Sequence, residues 1–63
     1  MSDFKTRLEA EQVELQEKLE KLNGFVGTEA FGKIDKEQQT LLTIQSSAME
    51  TYLKCLNERL VRL

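Results

Sequence analysis

Two segments of unequal apolar width dominate this sequence. Over residues 35 to 63, Leu41, Leu42, Ile44, Ala48, Met49, Tyr52, Leu53, Cys55, Leu56, Leu60 and Leu63 recur at helical spacing. At about 100° per residue they spread over roughly half of a helix circumference. Residues 2 to 23 carry only a narrow stripe, Phe4, Leu8, Leu15, Leu19 and Leu22, with Gln12 in its middle. A narrow stripe does not cover so wide a face. The second helix therefore needs a further partner, and another copy of the same chain is the simplest one.

Local signals set the expected boundaries. Ser2 or Asp3 is placed to cap the first helix, and Asn23-Gly24 reads as its stop. Glu14 with Lys18 and Glu17 with Lys21 are i,i+4 pairs in the favourable order. Residues 24 to 34 form the connection. Phe25, Val26, Phe31 and Ile34 make it an apolar plug rather than a solvated linker, with one helical turn expected near Thr28. Asp35 followed by Gln38 resembles a capping box opening the second helix. The lengths predict a second helix that overhangs the first, and the charge pattern predicts a second helix more buried than the first.

The expected fold is all-α: one domain over residues 1–63, an antiparallel two-helix hairpin assembling into a homo-oligomeric helical bundle. The absence of Pro and the scarcity of Gly agree with helix throughout. A chain of 63 residues has room for a single small core, so an isolated hairpin is marginal.

Composition narrows the chemistry. There is no His, hence no ordinary neutral-pH acid–base and no ordinary zinc ligand. Cys55 is the sole cysteine; without a neighbouring base it reads as core packing in a reduced cytosol. The first helix's glutamates scatter around its circumference, so no metal site is expected. Phosphate-loop and dinucleotide fingerprints are missing. The expectation is a non-enzyme with no cofactor. The near balance of 11 acids and 9 bases argues against DNA or RNA as partner. No apolar run has the length of a membrane span, and no apolar signal segment is read at the start.

Six residues are candidates for ligand binding: Arg59, Tyr52, Gln45, Met49, Arg7 and Lys33. Gln45 sits at the centre of the wide face, where an amide either fixes assembly register or lines an inter-subunit pocket. Arg59 either snorkels and pairs with an acid such as Asp3, or presents its planar fork to a phosphate. Tyr52 and Met49 are i,i+3 neighbours that serve as core or as a stacking plane and adaptable wall for a nucleobase. Arg7 falls with Arg62 at the open end of the hairpin, where the first helix's start faces the second's finish. Lys33 lies at the loop end, with Lys36 beside it.

The order Phe4-x2-Arg7-Leu8, Leu15-x3-Leu19-x2-Leu22-Asn23-x-Phe25, Phe31, and Gln38-Gln39-x-Leu41-Leu42-x2-Gln45-x3-Met49-x2-Tyr52-x3-Leu56-x2-Arg59-Leu60 resembles short helical-hairpin bacteriophage proteins of the crAss-like phage type. More distantly it is similar to the phage sponge proteins that oppose CBASS and Thoeris defence. That resemblance implies a cytoplasmic protein of the infected bacterial host. Its partner would be a nucleotide-derived second messenger, a cyclic oligonucleotide or a cyclic ADP-ribose type, held between subunits without cleavage. The alternative reading of the same wide face is a small oligomeric protein-binding or structural module.

Overall fold

The computed structural model describes residues 3–63. Three helices follow in order: α1, Asp3–Val26; α2, Glu29–Lys33; and α3, Lys36–Val61. No strand occurs among the described residues. Helix α1 pairs with α3 through Phe4 with Arg59, Gln12 with Asn57 and Asn23 with Ser46. As the first number rises the second falls, so the two helices run antiparallel. The result is a rod of 48 × 14 × 13 Å.

The first helix does not stop at Asn23-Gly24. It continues through both residues to Val26. Gly24 has no positive φ, so it serves as an ordinary helical residue rather than a left-handed cap. One further turn carries Phe25 onto Phe31, with ring centroids 5.8 Å apart in an edge-to-face arrangement. Such a pair gains about 0.5–1.5 kcal/mol beyond its burial. That is comparable to the roughly 1 kcal/mol cost of a helical glycine. The extension also removes the expected overhang: α1 has 24 residues and α3 has 26. Ser2, the other candidate cap, lies outside the described residues.

The connection is a tight corner. The Thr28 hydroxyl donates to the Phe25 carbonyl at 2.6 Å and accepts from the Phe31 amide at 3.4 Å, closing α1 and opening α2 together. The Asp35–Gln38 capping box does not form, because the Asp35 side chain makes no cap hydrogen bond. Gln39 ties the corner instead. Its amide donates to the carbonyls of Ile34 at 2.9 Å and Gly32 at 3.3 Å. A side chain one turn inside the helix donates to both carbonyls, which the acceptor-only carboxylate of Asp35 could not do.

Burial falls on one seam. Leu8, Leu15 and Leu19 of α1 and Leu56 of α3 are the buried apolar residues. Met49, Leu53 and Leu60 pack partly buried against the cluster of Leu8, Leu15 and Leu56. On α3 the covered positions are Gln39, Leu42, Ser46, Met49, Leu53, Leu56 and Leu60, alternating by three and four residues. That is the periodicity of a coiled-coil seam. The second helix is consequently the less buried of the two, contrary to expectation, because α1 covers only one edge of its apolar face. Cys55 is exposed for the same reason and is not core. The one ion pair among the described residues is Arg62 with Glu58 at 2.6 Å. The Glu14–Lys18 and Glu17–Lys21 pairs therefore do not close.

Candidate functional site

A second stripe runs along α3 beside the seam, displaced by one residue: Leu41, Gln45, Ala48, Tyr52, Cys55 and Arg59. It has the same four–three alternation, and every member is exposed. Tyr52 is 45% exposed and Leu41 56%, and the adjoining Ile44 is 58% exposed, so a contiguous apolar band faces solvent. The wide face thus resolves into two adjacent coiled-coil stripes. One packs along α1; the other faces solvent and meets α1 only where Arg59 lies over Phe4.

The two flanks of the seam differ chemically. On one, Gln12 donates to Asn57 and Ser46 donates to Asn23, both at 2.6 Å. Polar side chains close that flank. The other flank carries the exposed stripe, and there Arg59 lies over the Phe4 ring, 5.9 Å from its centroid. Arg59 therefore rests on an aromatic face rather than on Asp3. The ring fixes the guanidinium while leaving its donors open.

The candidates separate into groups. Gln45, Tyr52 and Arg59 follow one another at seven-residue intervals on the exposed stripe. Two such intervals span about 21 Å along a helix. Gln45 is exposed, and its amide points to the Met49 sulfur at 3.8 Å. Met49 itself packs into the seam against the leucine cluster. Arg7 is exposed on α1, at the end where Phe4 meets Arg59. Lys33 is exposed in the last turn of α2, at the opposite end of the rod, so it does not join the others.

Two hollows lie near the start of α3. One, of about 330 Å³, is lined by Lys36, Glu37, Thr40 and Leu41. The other, of about 290 Å³, is lined by Phe31, Gln39, Thr40, Thr43 and Ile44. Both are open to solvent and neither encloses a ligand by itself. Phe4, Thr40 and Leu41 are thus site features that the sequence reading passed over. Sorting the apolar residues of α3 into two stripes one residue apart would have isolated Leu41; the Phe4–Arg59 contact depends on tertiary placement and has no sequence signal.

No group of three His, Cys, Asp or Glu side chains among the described residues is arranged to hold a metal ion. No helix of the described residues is long and apolar enough to cross a membrane. Comparison with known proteins returned no match among curated proteins or solved structures. A family model does match, and it spans residues 2–62, nearly the whole sequence; the chain belongs to the Sequestin family.

Proposed function

We propose that the protein is a phage anti-defence sponge. It binds a nucleotide-derived immune second messenger, of the cyclic oligonucleotide or cyclic ADP-ribose type, and holds it between subunits without cleaving it. The family name denotes sequestration, which supports a binding rather than a converting role. The observation that carries the reading is the exposed stripe of α3. It presents an amide at Gln45, a ring at Tyr52 and a guanidinium at Arg59 on one otherwise apolar face. These are the groups that hydrogen-bond, stack on and neutralise a nucleotide. Because the hollows of one chain are open, enclosure of such a ligand falls to a second chain.

The test is a thermal-shift screen of cyclic dinucleotides, cyclic trinucleotides and cyclic ADP-ribose isomers. A messenger that binds only the folded protein stabilises it by about 2.7 kcal/mol at a hundredfold excess over Kd. For a domain this small that is a shift of several degrees or more. The bound ligand should be recovered chemically unaltered after denaturation. Arg59→Ala should weaken binding by about 1.5–3 kcal/mol, the worth of a charge-assisted hydrogen bond. The exposed Leu41, Ile44 and Tyr52 favour a second reading, a module that docks a partner helix. No shift across the whole panel would leave that reading standing alone.

A further inference from the structure

We infer that the exposed stripe of α3 is an interface between two copies of this chain, which pair antiparallel through α3 about a two-fold axis level with Glu50. In that register Ala48 faces the partner's Tyr52, Gln45 faces the partner's Cys55, and Leu41 faces the partner's Arg59. The inference rests on the stripe itself and not on the identity of any ligand.

Three observations converge on a second copy as the occupant. The first is area. A globular chain of 7.3 kDa exposes about 4,200 Å². This rod exposes 4956 Å². The excess, on the order of 700–800 Å², is close to what each partner covers in a standard interface. The second is shape. The stripe alternates by four and three residues, the spacing that a helix of the same repeat meshes with. Antiparallel pairing sets the large Tyr52 against the small Ala48 twice over, and it sets the two helix dipoles antiparallel, each positive end beside a negative one. A parallel pair would set Arg59 against Arg59, Tyr52 against Tyr52 and Ala48 against Ala48.

The third is charge. Glu37 lies one turn before Leu41 on the same face, and it is exposed. With Leu41 seated on the partner's Arg59, Glu37 comes within reach of that guanidinium. Phe4, which is 60% exposed beneath Arg59, supplies the shelf that the partner's Leu41 covers. Each end of the seam then joins the hollow at Lys36, Thr40 and Leu41 of one copy to Arg59 of the other. The dimer carries two equal composite ends, about 27 Å apart by helix rise, rather than one central cavity.

Oxidative cross-linking of the folded protein tests the register without any ligand. Cys55 and the partner's Cys55 would be offset by ten residues, about 15 Å along the axis, too far for a disulfide. The natural chain should therefore stay uncross-linked under copper–phenanthroline, and Gln45→Cys should convert to a covalent dimer. Thr43→Cys, at nearly the same level on the opposite face, should not. In a Cys55→Ser background, Leu41→Cys combined with Arg59→Cys should cross-link between chains, because the two positions are remote within one. Spontaneous cross-linking of the natural Cys55 would show parallel pairing and overturn the inference. So would failure of both engineered pairs while circular dichroism shows them folded, or a folded monomer in sedimentation equilibrium at micromolar concentration. A folded monomer would also remove the between-subunit enclosure of the sponge reading; the cross-linking outcomes leave that reading intact, and the ligand screen tests binding by itself.

Discussion

Leu56 has no exposed surface and touches both Leu8 and Leu15 across the seam. It is where one truncation removes most contact. Leu56→Ala should cost about 2–5 kcal/mol, through lost transfer energy and the cavity left behind. A domain this small has little more than that to lose, so the urea midpoint should fall to near zero. The Gln12–Asn57 hydrogen bond contributes less. It lies at the edge of the seam with Asn57 exposed, so Asn57→Ala should cost about 0.5–1.5 kcal/mol in the same assay. Gln12 shows how a polar residue within an apolar stripe is accommodated: it sits off-centre and meets a partner on the polar flank. Gln45 has no partner of that kind, only the Met49 sulfur.

At the scale of elements, the corner between α1 and α3 offers a change that should stabilise. Gly24 lies within a helix, and a Cβ added there would meet nothing within 4 Å. Gly24→Ala should therefore raise stability by about 0.5–1 kcal/mol, read as a higher melting temperature. A glycine acting as a left-handed cap would give the opposite sign. Thr28→Ala should cost about 1 kcal/mol, because it removes the acceptor for the Phe31 amide and the donor to the Phe25 carbonyl. These two positions also mark what could be read in advance. The helices themselves were legible, since propensity and the period of Leu8, Leu15, Leu19 and Leu56 point one way. The short turn at Thr28 was legible too, since α2 opens there. The end of α1 was not, because Asn23-Gly24 carries a strong local stop signal that the downstream packing of Phe25 on Phe31 overrides. The same limit applied to the site. Gln45, Tyr52 and Arg59 could be placed on one face by counting. The division of that face into a covered and an uncovered stripe depends on which edge α1 chooses, and so does the exposure of Cys55.

For the molecule as a whole, the proposed pairing through α3 predicts a melting temperature that depends on how much protein is present. Raising protein concentration should raise the midpoint, and dilution should lower it, whereas a self-sufficient monomer would show neither. A further consequence follows from where the leucine cluster lies. Leu8, Leu15 and Leu56, with Leu53 and Leu60 beside them, occupy the half of the rod that holds the start of α1 and the end of α3. The other half holds Leu19 outside that cluster and relies otherwise on the Phe25–Phe31 pair and the Gln39 ties. In native-state hydrogen exchange, amides around Leu56 should report the global opening of the molecule, while those around Phe25 and Gln39 exchange by smaller, local openings. The start of α1 and the end of α3 meet at the strongest part of the seam and the corner is its weakest, so a protease probing the native protein should cut the corner first.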